Sequence, residues 1–102
     1  MDERRDSPRL KMYAGVFILR GEKAYLTEVE NVSTGGASMT RPSNWDGHLE
    51  SRCALYFIIE QDHILLIRGH LVHETESRLG FEFDSGFAAE SEELVTESRR
   101  WR

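Results

Sequence analysis

Between residues 11 and 84 apolar and polar positions alternate over short runs, the period of strands with one face buried. Residues 13–20 (YAGVFILR) are rich in aromatic and β-branched side chains, and Arg20-Gly21-Glu22 supplies a turn after them. Residues 24–32 (AYLTEVENV) make a second strand, whose imperfect alternation marks a bulge or an edge. Gly35-Gly36 follows, where the backbone can take angles that other residues resist. Residues 40–51 (TRPSNWDGHLES) form the longest polar, turn-rich stretch and predict a surface loop. Residues 52–60 and 63–75 are strongly apolar and join around Gln61-Asp62 as a hairpin. In a last strand Leu79, Phe81 and Phe83 alternate with Gly80, Glu82 and Asp84. Five or six short strands with no helix between them predict a small antiparallel barrel or sandwich.

The pattern then changes. Ser85-Gly86 interrupts it, and FAAESEELVTESRRWR has helical character. Phe87, Leu94 and Trp101 recur every seven residues with Ala88 and Val95 beside them, predicting one apolar stripe. Glu90, Glu92 and Glu93 come early and Arg99, Arg100 and Arg102 late, which complements the helix dipole. A lone helix of this length is marginal in water, so it is expected to dock on the strands or on a partner. The expected organisation is an N-terminal arm over 1–11, a β-domain over 12–84 and a helix over 85–102.

Composition narrows the function classes. A chain of 102 residues suffices for one small domain. Its longest uninterrupted apolar run, CALYFII, is far short of a membrane span, and MDERRDSPRLK lacks the apolar core of a signal peptide. The expectation is a cytoplasmic protein without membrane insertion. The single cysteine, Cys53, opens an apolar segment and reads as a small buried hydrophobe. Net charge is −5: residues 1–11 carry four basic and three acidic side chains, and the remainder nine basic and fifteen acidic. An acidic body argues against general DNA or RNA binding, which neutralises many phosphates, yet leaves room for a small anion met by a few arginines.

Two short motifs carry chemistry. In RRDSPR, Arg5 and Arg9 flank Asp6-Ser7-Pro8, and Pro8 biases the segment toward an extended arm. With eleven arginines in the chain, such a pair is uninformative alone, and a solvated basic tail is the bland alternative. The second motif is Asn31-Val32-Ser33-Thr34-Gly35-Gly36, an Asn-x-Ser-x-x-Gly pattern. Its bland alternative is a capped hairpin, because Asn and Ser bond readily to backbone two residues on. Asn31-Val32-Ser33 also matches a glycosylation sequon, which means little without an export signal.

In this order and spacing, an Arg-x-x-x-Arg arm, a first strand or two and then Asp/Asn-x-Ser-x-x-Gly resemble the PilZ domain family. Arg4-Arg5, Gly36-Ala37, Arg68-Gly69-His70-Leu71-Val72, Leu79-Gly80-Phe81-Glu82-Phe83 and the terminal helix extend the resemblance over nearly the whole chain. It implies a six-stranded antiparallel β-barrel with a C-terminal α-helix. It further implies a receptor for the bacterial second messenger cyclic di-GMP, acting through a downstream protein in motility, biofilm formation or exopolysaccharide control. The implied ligand-binding residues are Arg5, Arg9, Asn31, Ser33 and Gly36, with Arg4, Gly35 and Lys11 accessory. Guanidinium suits the guanine O6/N7 edge and can also stack on a base or meet a phosphate. Asn31 offers a donor and an acceptor, Ser33 a rotatable hydroxyl, and Gly36 a close approach to the backbone. Many members carry Asp where this chain has Asn31, which keeps the acceptor and loses the charge.

Other residues point to no enzyme and no cofactor. His70 and His73, three apart on a strand, are expected on opposite faces and so unable to share a metal; His48 and His63 read as surface residues. Trp45 is expected to cover one end of the barrel rather than stack on a base. No nucleophile has an evident partner base, and no phosphate-cradling glycine loop with its lysine is present. Two rival readings remain: a PilZ-like interaction adaptor that binds no nucleotide, and a small barrel for single-stranded nucleic acid, which the acidic body disfavours.

Overall fold

The computed structural model describes residues 10–12 and 14–100. Arg4, Arg5, Arg9, Tyr13 and Trp101 lie outside the described residues. The strands are β1 (Leu10–Lys11), β2 (Gly15–Arg20), β3 (Lys23–Val32), β4 (Gly36–Thr40), β5 (Arg52–Glu60), β6 (His63–Glu74) and β7 (Arg78–Phe83). All pairings are antiparallel, in the order β1-β3-β2-β5-β6-β7-β4, and β4 pairs back onto β3. Six strands therefore close a barrel, as expected. The short β1 continues the line of β2 along β3: Met12 N donates to Glu30 O at 3.2 Å and Val29 N to Ala14 O at 2.8 Å. Leu10 and Lys11, the end of the expected arm, are thus strand.

The alternation read from the sequence is the inside–outside alternation of this barrel. Val16, Ile18, Val29, Val32, Met39, Leu55, Phe57, Ile67, Leu71 and Leu79 are fully buried in its interior. A β4 strand has no clear alternation of its own (GASMT, with Ala37, Ser38 and Met39 all buried), so the sequence did not delimit it. The bulge expected in the second strand lies between Val29 and Asn31, where Glu30 is the extra residue. Cys53 is buried as expected, and burial pushes its thiol up to about 11, which makes it unreactive at neutral pH.

Gly36 is fixed by packing. A Cβ there would stand 2.2 Å from the Phe81 carbonyl oxygen on β7, so β4 and β7 can approach only with glycine at this position. Neither Gly35 nor Gly36 has positive φ, so the backbone freedom expected of this pair is not what the site uses.

The loop over 41–51 folds over one end of the barrel. Trp45 is buried, its ring 4.9 Å from Tyr25 and edge-on to Phe81 at 6.4 Å. Gly47 is required beside it, since a Cβ would meet the Trp45 ring at 2.4 Å. Asp46 then collects three donors from the β2–β3 hairpin: Arg20 at 2.5 Å, Lys23 and the Tyr25 hydroxyl. These bonds, Lys23 first, hold the Asp46 carboxyl far below its ordinary range.

At the other end of the chain a 3-10 turn (Ser85–Phe87) leads into α1 (Ala88–Ser98), which lies against β6, β1 and β3. Its buried face is Leu94 and Val95 with Ser91 and Ser98; Ala88, expected in the stripe, is exposed. Each serine hydroxyl donates back into the helix, Ser91 to Ala88 O at 3.0 Å and Ser98 to Val95 O at 2.6 Å, so neither is left unsatisfied against the barrel.

Two outcomes follow for stability. The Asp46 carboxyl has a folded value below its unfolded one, so its contribution is present above pH 4 and is lost as pH falls below that. Asp46→Asn should lower the thermal midpoint at pH 7 and shrink its drop between about pH 5 and pH 2. Gly36→Ala should cost about 1–3 kcal/mol in urea unfolding, because β4 must move away from β7.

Candidate functional site

The sequence motif lands on the β3–β4 hairpin. Asn31 lies near the end of β3, where it pairs with Lys11 on one side and Ser38 on the other. Ser33, Thr34 and Gly35 make the turn, and Gly36 starts β4. Asn31, Ser33, Gly35 and Gly36 are therefore brought together in one corner of the barrel.

Within this corner the backbone is well tied. Ser33 N donates to Gly36 O at 2.8 Å, and Phe83 N on β7 donates to Gly35 O at 2.9 Å. The Ser33 hydroxyl accepts from Gly35 N at 3.2 Å and has a long contact to Gly36 O at 3.5 Å. Ser33 thus does serve the turn, while its half-buried hydroxyl keeps a lone pair for another donor. The chain leaves the described residues at Leu10, which pairs with Val32, next to Ser33.

Strand register extends the corner into a cross-strand row. Asn31 pairs with Ser38, Ser38 with Gly80, and Gly80 with His73. The neighbours Val32, Ala37 and Phe81 point into the core, so this row lies on the outer face. Its middle is low, since Ser38 and Gly80 have little or no side chain. Ser38 is 5% exposed, and its hydroxyl has no hydrogen-bond partner among the described residues. Buried hydroxyls are normally paired, so this one marks a polar position with bonding capacity to spare. Beside the row, Arg78 Nε meets Glu30 at 2.8 Å and Thr40 Oγ1 donates to Glu30 at 3.0 Å.

The register corrects one expectation. His70 and His73 share the outer face, because a bulge between Leu71 and His73 inserts Val72 and resets the alternation; their partners Glu82 and Gly80 are two apart. Among the described residues no group of three or more His, Cys, Asp or Glu converges as a metal ion requires. Trp45 caps the barrel, as expected, and takes no place in this corner. No helix among the described residues is long and apolar enough to cross a membrane.

Ser38, Glu30, Arg78 and His73 were not marked by the sequence as part of this corner. Strand pairing brings Ser38, His73 and Arg78 to it from 7, 42 and 47 residues beyond Asn31, and the chain carries no local signal for that.

Comparison with known proteins agrees with the fold. The Bacillus subtilis inhibitor of motility (MotI/DgrA) superposes with a TM-score of 0.77 at 16% identity, over 95% of this chain and 50% of that one. The PilZ domain of YcgR from Escherichia coli, solved with c-di-GMP, gives 0.76 at 15% identity over 95% and 92%. The MrkH–c-di-GMP complex of K. pneumonia gives 0.67 at 16% identity over 100% and 56%. This chain thus spans about half the length of the MotI/DgrA and MrkH chains. No curated protein sequence matches it. Residues 3–98 match the PilZ domain family model. With its motif on the hairpin that closes a six-stranded barrel, the chain belongs to the PilZ domain family.

Proposed function

We propose that this protein is a cytoplasmic receptor for cyclic di-GMP rather than an enzyme. The messenger binds between the segment carrying Arg5 and Arg9 and the corner formed by Asn31, Ser33 and Gly36. The observation that carries this reading is the pairing of Leu10 with Val32: Arg9 directly precedes β1 in sequence, and β1 runs beside Asn31 and the Ser33 turn. The residues that directly follow Arg9 in sequence thereby lie beside the second half of the motif across one ladder. Two structures of similar fold, YcgR and MrkH, were solved with c-di-GMP.

Each group has a definite role in this reading. Arg5 and Arg9 present paired donors to a guanine edge or a phosphate. Arg4 and Lys11 add positive charge to an otherwise acidic body. Asn31 bonds a base edge, and Ser33 uses the lone pair its turn leaves open. Gly36 contributes indirectly: its missing Cβ lets β4 and β7 pack closely beneath the hairpin. Binding holds the segment that carries Arg5 and Arg9 against the corner and alters the surface that a downstream protein reads, in motility, biofilm or exopolysaccharide control.

Titration calorimetry with cyclic di-GMP should give saturable heat and a stoichiometry of one or two. Absence of heat at about 100 μM ligand would favour a PilZ adaptor that binds no nucleotide. Arg5→Ala and Arg9→Ala should each weaken binding by about 1–3 kcal/mol with little change in thermal midpoint. Ser33→Ala should weaken it less and also loosen the turn, so its binding loss must be read beside its unfolding curve.

A further inference from the structure

A groove of about 390 Å³ opens on the outside of the barrel, along β5 between β2 and β6. Sequence and register explain it. On the outer side of β5 come Arg52, Ala54 and Tyr56, so two large side chains flank a small one. Ala54 pairs with Leu19 on β2 and with Arg68 on β6. Although it faces outward it is only 7% exposed, because it forms the floor between its taller neighbours. Gly21 and Gly69 also line the groove and keep that floor low. Gly69 has a second effect: a Cβ there would stand 2.4 Å from Glu82 O, so only glycine lets β6 and β7 come this close. Asp84 N then donates to Arg68 O at 2.8 Å, which sets the Asp84 carboxylate at the rim. The volume falls within the range of small-molecule sites, about 300–1,000 Å³.

The charge of the groove is unbalanced. Arg52 pairs with His70 and Ala54 with Arg68, so the two arginines are diagonal neighbours, about 7–8 Å apart and long enough to converge on one group. Both are exposed, and neither guanidinium makes a hydrogen bond among the described residues. Asp84 is the one carboxylate lining the groove among those residues, and it is loosely held. Its Oδ2 lies 3.6 Å from Arg52 Nη1 and its Oδ1 3.7 Å from His70 Nδ1, both beyond hydrogen-bond length. That His70 nitrogen is buried without a hydrogen-bond partner, so as a donor it can take the Asp84 carboxylate when Arg52 turns elsewhere. Two guanidiniums thus face one loosely held carboxylate, on a chain whose net charge is −5.

We propose that this groove binds a small organic phosphate, with the phosphate between Arg52 and Arg68 and the apolar body against Leu19 and Tyr56. Guanidinium suits phosphate oxygens, to which each fork offers two parallel N–H donors. The walls suit an apolar body: Leu19 is 37% exposed, and Tyr56 presents a half-buried ring. An acidic protein segment fits less well. Glu82 and Glu50 lie 3.3 and 3.9 Å from His70, and Glu22 follows Gly21, so the surface beyond the groove repels an extended anion. A compact anion meets only the arginines and Asp84. Counted either way round the barrel, β5 is three strands from β4. The groove therefore lies across from the β3–β4 corner and does not rest on the nucleotide reading.

Amide NMR of the full chain, titrated with phenyl phosphate near pH 7.5 where its phosphate is a dianion, tests this. The amides of Gly21, Ala54 and Gly69 should shift saturably, with a dissociation constant at or below about 1 mM. Inorganic phosphate should bind at least about tenfold more weakly, because it has no apolar body to bury, and phenol should shift nothing. Arg68→Gln should raise the dissociation constant at least about tenfold with an unchanged far-UV circular dichroism spectrum. Asp84→Asn should lower it severalfold by removing the competing carboxylate, and it breaks no side-chain cap bond of the turn that follows. Absence of saturable shifts at the groove amides up to about 10 mM overturns the proposal. So does indifference to Arg68→Gln or Asp84→Asn. Equal affinity for inorganic phosphate also overturns it, by marking an adventitious ion only. Displacement of phenyl phosphate by cyclic di-GMP does the same, since the probe would then occupy the messenger's own site.

Discussion

Closure of the barrel through β3 is the constraint on which the other features depend. This strand runs with β2 over its first half and with β4 over its second, and the bulge at Glu30 lies where the change of partner occurs. A bulge bends and twists its strand, which is what a sheet needs in order to return to its own first edge. Beyond the last paired residues, Thr27 Oγ1 donates to the Thr40 carbonyl at 2.6 Å and carries the seam a little further. The seam also brings β1 alongside Asn31 and sets the Ser33 turn against β7. Site geometry and barrel closure are therefore one structure, and a change at Glu30, Arg78 or Gly36 acts on both.

Much of the fold was legible because short alternation survives wherever one strand face is buried. Residues 52–60 match β5 to the residue, since its inner side chains Cys53, Leu55, Phe57 and Ile59 repeat without a break. The hairpins at Gly21 and at Gln61-Asp62 were equally plain. Strand β4 was not, because Ser38 is buried on the outer face and hides the period. In the helix, apolar residues alone suggested a stripe through Ala88. The buried positions are held instead by Ser91 and Ser98, whose hydroxyls can be buried only because the helix backbone accepts them.

The candidate site divides in the same way. Asn31, Ser33 and Gly36 could be found by local spacing, and one hairpin does gather them. The role of Gly36 could not, because the atom that excludes a Cβ, Phe81 O, belongs to a strand 45 residues on. Nor could the shared face of His70 and His73, which turns on one inserted residue. Local chemistry is written in neighbouring residues; register is written in the sum of all pairings and shows only when the barrel closes.

The sparse underside of α1 has a consequence for how the molecule breathes. Among the described residues its contact with the barrel rests on two aliphatic side chains, Leu94 and Val95, helped by a half-buried Phe87 and by His63 Nε2 to Glu93 at 2.9 Å. Full burial of such side chains is worth about 1.5–3 kcal/mol each, well below what holds six strands in a closed ladder. Amide hydrogens of this terminal segment should therefore exchange with solvent through a partial opening that leaves the barrel shut. The molecule would then have two tiers of protection, a slow cylinder and a faster lever at its end.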